Sequence, residues 1–341
     1  MDSCDVVIVG GGPAGSTCAW ALRKAGIDSL VLDAQDFPRT KLCAGWITPE
    51  VVRDLQIDLP AYPHSLVVLR RILVEYFGKR SVHRWTLNTT QYSIRRYEFD
   101  HWLLQRSGAR FERHKVCNIR KEGGYYVLDD RFRGRVLVGA AGTHCPVRRA
   151  FFPDMVARTR ELQVASLEEE FCYPDRDETC RLWFAENGLA GYSWYVPKGD
   201  GWVNIGLGGF SEGLRNGGPS LRDHWRLFTR KLSDLGLIRE RESEPGGHTY
   251  FVRATAVETQ RDSCFLIGDS AGLATRNLGE GIGPAVTSGL RAARAIINGK
   301  PYSLARMARY SYLSSGWPAR FAEGILYRGA VLLMNRTHRR R

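Results

Sequence analysis

Apolar residues run without interruption from Val6 to Val9 and again from Leu30 to Leu32. Continuous runs of this length predict strands buried on both faces of a parallel sheet, since a half-exposed strand would alternate. Between them, Thr17 to Ala25 carries apolar positions at helical spacing and stops at Gly26. A third run, Cys264 to Ile267, ends in Gly268-Asp269, and a glycine-rich stretch then leads into a helical pattern reaching about Ile297. Residues 1–60, about 92–150 and about 255–300 therefore predict strands and helices of α/β type. Residues 66–87 and 161–210 predict successive strands, punctuated by turns such as Lys198-Gly199-Asp200-Gly201, with a helix over Leu221–Leu235. The expected organisation is one discontinuous unit (1–60, 92–150, 255–300), a second interleaved with it (61–91, 151–254), and a C-terminal helical segment (301–341).

The first strand leads into Gly10-Gly11-Gly12-Pro13-Ala14-Gly15, a Gly-x-Gly-x-x-Gly sequence at 10, 12 and 15. Gly10 permits the tight turn, Gly12 lets a pyrophosphate approach the backbone, and Gly15 lets the helix pack closely on the strand. The helix N-terminus, entered through Pro13 and Ala14, then faces the phosphates. Asp33 ends the second strand, where its carboxylate can accept from the ribose hydroxyls of an adenosine, and its charge disfavours a 2′-phosphate. Strand, glycine loop, helix, strand and acid stand in the order that a dinucleotide fold needs.

That fingerprint alone does not separate NAD from FAD. The distant Gly268-Asp269 strand end and Gly279-Glu280-Gly281-Ile282 opening a helix suit a longer, extended cofactor. Asp269 is placed to hold a ribityl hydroxyl, and backbone N–H groups near Gly281 and Ile282 would face a flavin ring. A helix N-terminus there stabilises negative charge on the reduced ring.

GGGPAG, "IGDSAG…LGEGIGPAV" and "IRRYEFDHWL" (94–103) together resemble the FAD-dependent group containing aromatic hydroxylases and geranylgeranyl reductases. The nearer resemblance is to the geranylgeranyl reductase branch. Lys41-Leu42-Cys43-Ala44-Gly45 is similar to its K-x-C-[GA]-G motif, and Tyr192-x-Trp194-x-Val196-Pro197 to its Y-x-W-x-F-P. The resemblance spans roughly residues 4–300. It implies a doubly wound FAD-binding domain interleaved with a mixed β-sheet substrate domain, Arg96 near the FAD, and Cys43 beside the isoalloxazine. Where hydroxylases and many reductases carry Asp-Gly, this chain has Ala141-Gly142; Gly142 keeps the turn, but the missing acid leaves NAD(P)H or another donor open. The chain also ends about 40 residues past the cofactor helix, so a covering C-terminal element is expected to be short or missing.

Composition narrows the classes further. With 341 residues, 43% hydrophobic, the chain can bury a large core. No window resembles a secretory signal or a membrane span. The eight cysteines lack CxxC pairs or zinc-ligand spacing, so reduced thiols and a cytoplasmic setting are expected. Net charge is +13, and residues 301–341 hold eight arginines against Glu323 alone. An amphipathic stretch from Phe321 to Met334, followed by Arg339-Arg340-Arg341, reads as a solvated helix or as a contact for anionic lipid at the inner membrane face. Basic residues interleaved with a stacking platform are lacking, so nucleic acid is not an expected partner.

The candidate chemistry gathers on four side chains. Cys43 has Thr48 where a flavin disulfide reductase would place its second cysteine, which removes a disulfide cycle. It is left as a proton donor, a shaper of the pocket, or a small buried residue. Tyr192 and Trp194 alternate with Ser193 and Tyr195, so one strand face forms an aromatic wall or ordinary sheet packing. His144 lies in a Gly-Thr-His loop near the expected flavin. The leading expectation is an FAD-dependent oxidoreductase reducing a C=C bond of a hydrophobic, isoprenoid-like molecule. The alternatives are a flavin monooxygenase acting on a small metabolite, and a flavin-binding partner or sensor without turnover. A partial likeness of residues 192–197 to the W-x-W-x-I-P of flavin halogenases is weakened by Tyr192 in place of the first Trp.

Overall fold

In the computed structural model, which describes residues 1–155, 159–215, 218–240, 242–254, 257–305, 307 and 311, two eight-stranded sheets carry the chain. The first sheet grows from the opening apolar run. Asp2–Val9 pairs in parallel with Ser29–Asp33 on one side and Phe132–Gly139 on the other, with Val7 opposite both Leu30 and Leu137. Arg110–Arg113 and Cys264–Leu266 extend the parallel core outward. The antiparallel strands Ile119–Glu122, Tyr125–Leu128 and Gln260–Arg261 complete the sheet.

Its central strand is buried on both faces, as an uninterrupted apolar run requires. Val6 and Ile8 pack beneath Cys18, Ala19 and Leu22 of helix Pro13–Lys24, while Val7 and Val9 pack with Leu137, Phe152 and Leu266 on the other side. Helix Ile282–Asn298 lies against Pro13–Lys24 so closely that a Cβ on Gly289 would fall 2.6 Å from the Ala14 carbonyl oxygen. This is the Rossmann-like α/β arrangement expected from the sequence.

The second sheet runs Gly246–Phe251, Gln163–Cys172, Trp202–Phe210, Gly191–Pro197, Cys180–Phe184, Val67–Phe77, Val82–Ser93 and Trp46–Ile47. Every pairing is antiparallel except Cys180–Phe184 with Val67–Phe77. Trp46–Ile47 pairs with Ser93 and Tyr92, so residues 1–60 are not confined to the first sheet.

Strand alternation gives this sheet two different faces. Trp183, Tyr195 and Ile205 point to helix Leu221–Asp234 and pack on its Trp225, Phe228 and Leu232. The helix is started by a capping box in which Ser220 and Asp223 satisfy each other's backbone N–H. The opposite face, with Leu182, Trp194 and Val196, turns back toward the first sheet and meets Ala44, Trp46 and Leu278. No described helix is long and apolar enough to cross a membrane. The amphipathic stretch Phe321–Met334 and Arg339–Arg341 lie outside the described residues.

Candidate functional site

Between the sheets lies a cavity of about 580 Å³. Its wall begins at the glycine loop after the first strand, passes the Lys41–Ala44 loop, and ends on the apolar face of the second sheet.

At the loop end, the three fingerprint glycines do separate jobs. Gly10 has φ +115°, and a Cβ there would strike the Ala140 carbonyl group at 2.4 Å. Gly15 faces protein, its would-be Cβ 1.9 Å from the Gly10 carbonyl oxygen, and it does not line the cavity. Gly12 does line it, and a Cβ there would meet only the Arg39 guanidinium, at 3.5 Å. Gly12 also precedes helix Pro13–Lys24 with no side chain capping it; Pro13 has no N–H and the Ser16 N–H donates to the Gly12 carbonyl, so the Ala14 and Gly15 N–H groups are the uncapped donors of the first turn. Pro13 and Ala14 line the same wall. Asp33 is locked at the edge: its Oδ2 accepts from the Gly11 N–H at 2.8 Å and its Oδ1 from the Gln35 N–H at 3.0 Å.

Arg39 was not singled out by the sequence. Its guanidinium lies 3.9 Å from Asp33 and 3.6 Å from Asp100, and its buried Nε has no hydrogen-bond partner among the described residues. An unfilled donor beside an open glycine cradle and an uncapped helix start fits a phosphate group.

Further along, Asp269, Gly279, Gly281, Ile282, Gly142 and His144 all reach the cavity wall. Gly281 opens helix Ile282–Asn298, again without a side-chain cap. Gly279 has φ +63° and no room for a Cβ, which would lie 2.1 Å from the Tyr250 hydroxyl. Gly268 stands behind this wall, its would-be Cβ 3.0 Å from that of Ala14 and its N–H donating to Ser288 Oγ at 2.9 Å.

The Lys41–Trp46 loop closes over the middle. Lys41, Cys43 and Ala44 line the cavity, but Gly45 turns away from it, with φ +61° and its would-be Cβ 2.1 Å from the Ile94 carbonyl oxygen. That Cβ would also come within 2.4 Å of Lys198 Nζ, whose buried ammonium donates to the carbonyls of Ala44 and Ile94. Burial pulls Lys198 below the usual lysine range. The half-buried Cys43 thiol accepts from the Gly45 N–H at 3.4 Å and sits beside the Arg96 guanidinium. Arg96 is held by both oxygens of Asp100 at 2.6 and 2.7 Å, and although burial works against its charge, that pair keeps it protonated.

The far wall is aromatic. Tyr192 and Trp194 face the cavity, while Ser193 and Tyr195 alternate to the other side. The Trp194 indole lies over Gly206 of the neighbouring strand, where any Cβ would come within 2.2 Å of the ring. Its Nε1–H donates to Asn204 Oδ1 at 2.7 Å. The Tyr192 hydroxyl donates to the Leu278 carbonyl at 2.5 Å, its ring stacks on Phe184, and burial raises its pKa above the usual phenol range.

A polar cluster interrupts the aromatic wall, and four of its members, Ser166, Glu168, Asn204 and His248, were missed in the sequence. On Gln163–Cys172 the alternate residues Ser166 and Glu168 reach the cavity, opposite His248 and Gly246 of the next strand. Burial, then the Lys41 charge, draws His248 below the usual histidine range, burial likewise draws Lys41 down, and the His248 ring Nε2 lies 2.8 Å from Lys41 Nζ. Glu168 is 2% exposed, and burial pushes its carboxyl up to about 7. Asn204 Nδ2 bridges the Glu168 carboxyl at 3.5 Å and the Cys43 carbonyl at 3.4 Å. The sequence signal was an acid at a buried register position, hidden among three consecutive glutamates.

A family profile described as FAD dependent oxidoreductase matches residues 5–102. The chain is 33% identical over 307 residues to an uncharacterized protein of Methanosarcina barkeri, covering 87% of this chain and 75% of that one. It is 29% identical over 333 residues to a geranylgeranyl diphosphate reductase of Rhodobacter capsulatus, covering 91% and 80%. Among solved structures, the fold is similar to a geranylgeranyl bacteriochlorophyll reductase-like protein of Thermoplasma acidophilum (TM-score 0.74, 20% identity, 88% and 79% covered). It is also similar to a flavin-dependent brominase (TM-score 0.67, 20% identity, 97% and 86% covered).

Proposed function

The chain belongs to the geranylgeranyl reductase-like branch of the FAD-dependent oxidoreductases, and on that premise we propose that it reduces a C=C bond of a hydrophobic, isoprenoid-like substrate. One observation carries the reading: a single cavity joins the uncapped glycine cradle to an aromatic wall of Tyr192 and Trp194. A cofactor and an apolar substrate can meet there without crossing solvent.

In this reading Gly10, Gly12, Pro13 and Ala14 receive the pyrophosphate with Arg39 as counter-charge, and Gly15 keeps the helix close enough for its N–H groups to reach. Asp33 takes the adenosine ribose. Asp269, Gly279, Gly281, Ile282 and Gly142 would hold the ribityl chain and ring edge, backed by Gly268. Arg96, Lys41, Ala44 and the Gly45 turn hold the opposite side. When bound and reduced, FAD supplies the hydride. The protein's own part is orientation and dryness: Tyr192 and Trp194 fix an unsaturated chain by apolar contact, and their hydrogen bonds to Leu278 and Asn204 fix the rings. Cys43 and His144 border the same space and shape access to it. A lipidic substrate drawn from a membrane surface suits the eight arginines after residue 300.

Product mass tests the proposal. Incubating the reduced protein with a prenyl lipid should give a product heavier by two hydrogens. Incorporation of an oxygen atom from O₂ would replace the reductase reading with a monooxygenase one.

A further inference from the structure

We propose that the carboxyl group of Glu168, rather than the Cys43 thiol, delivers the proton to the substrate carbon that does not receive hydride. The inference rests on the C=C reductase reading and names the group that completes the reaction.

Glu168 borders the cavity on the same wall as Tyr192 and Trp194, at an inward position of Gln163–Cys172. Among the described residues its hydrogen bonding is confined to the long 3.5 Å contact from Asn204 Nδ2. A buried carboxylate normally gathers several donors or a close cation, because an unpaired buried charge is costly. Lys41, the cation that most favours its ionised form, is engaged with His248 at 2.8 Å. A carboxyl so poorly supplied with donors is suited to its neutral, proton-bearing form.

The groups facing it set its balance. Lys41 from the loop, Asn204 from the strand Trp202–Phe210 and Lys198 from the turn after Gly191–Pro197 favour the carboxylate, while Glu170 on its own strand opposes it. Burial outweighs these, and the carboxyl is held at about 7, near the pH at which a general acid is most useful. Cys43 is less suited: its thiol lies against the Arg96 guanidinium, a neighbour that donates rather than accepts.

The step balances. With hydride added to one alkene carbon, the π electron pair forms a new C–H bond at the other using the Glu168 proton. The O–H bond breaks, its electrons stay on the carboxylate, and the carboxylate is reprotonated from water after product leaves. The substrate gains two hydrogens and two electrons, the electrons coming from the reduced flavin.

The test compares wild type with Glu168→Gln and Glu168→Asp, each loaded with FAD. Two readouts are used. The first is the infrared C=O stretch of a protonated carboxyl in the oxidised, substrate-free protein, followed against pH. It should titrate near 7 in wild type and vanish in Glu168→Gln. The second is anaerobic reoxidation of the reduced protein by geranylgeraniol in detergent. Glu168→Gln should be slower by about 10²-fold or more, with FAD content unchanged and Glu168→Asp partly restored. The wild-type rate should fall as pH rises through about 7, and that limb should disappear in Glu168→Gln. A Glu168→Gln rate within about threefold of wild type, or an unaltered pH limb, would overturn the proposal. If wild type itself is not reoxidised by the isoprenoid, the substrate reading fails; the infrared band then decides separately whether Glu168 holds a proton, and its absence overturns the inference.

Discussion

The buried ammonium of Lys198 donates to the backbone carbonyl of Ala44, a residue 154 positions earlier in the chain. The same nitrogen donates to Ile94 O at 2.8 Å, so one side chain from the turn after Gly191–Pro197 pins the loop that carries Cys43 against the strand end before Arg96. The contact explains why Gly45 must be a glycine: with φ +61°, it lets the chain turn beneath the Lys198 ammonium.

Lys198→Met tests that clasp. It removes two charge-assisted hydrogen bonds and strands two buried carbonyls, at a cost of roughly 2–4 kcal/mol offset in part by relief of the buried charge. We expect a lower thermal midpoint and weaker FAD retention, measured by differential scanning fluorimetry and by flavin absorbance after desalting. Unchanged values for both would make the clasp incidental.

The fingerprint glycines should fail in different ways. Gly15→Ala places a methyl 1.9 Å from a backbone oxygen, so it should destabilise the fold itself, by about 1–3 kcal/mol or more. Gly12→Val meets only the Arg39 side chain, and Gly12 has ordinary extended backbone angles, so the variant should fold as wild type yet lose FAD. Circular dichroism against flavin content separates the two outcomes.

Arg39→Ala should weaken FAD binding about ten- to hundredfold, the worth of a charged hydrogen bond or ion pair to phosphate of roughly 1.5–3 kcal/mol. Titration of apoprotein by quenching of flavin fluorescence measures it, and the loss should shrink at high salt if charge is the cause. An affinity equal to wild type would place the phosphate elsewhere.

Gly206→Val probes the aromatic wall. A side chain there intrudes within 2.2 Å of the Trp194 indole and must move it off Asn204. FAD content should stay at the wild-type level while the KM for a prenyl substrate rises. A drop in flavin content with KM intact would mean that Trp194 supports the cofactor instead.

What the sequence made legible follows from how local each signal is. Val6–Val9, the glycine loop and Asp33 lie within 28 residues of one another, and their spacing alone dictates strand, turn and helix. Tyr192 and Trp194 were readable because strand alternation puts them on one face. Glu168 and His248 were not, since their meeting depends on the pairing of Gln163–Cys172 with Gly246–Phe251, about 80 residues apart. Glu168, Glu169 and Glu170 are alike as letters, and only the register shows which turns into the cavity. Arg39 sits in a loop with no periodicity, and Gly45 and Gly268 prove to be packing positions behind the wall rather than on it.

Anaerobic recovery of the oxidised flavin spectrum reads C=C reduction itself. Purified protein is loaded with FAD, reduced with dithionite, and mixed with a prenyl lipid in the absence of oxygen. If reduced flavin passes its hydride to the lipid, the oxidised spectrum returns at a rate rising with lipid concentration, with one saturated bond formed per flavin. A reduced spectrum that persists with every prenyl lipid and returns only when O₂ is admitted would contradict it.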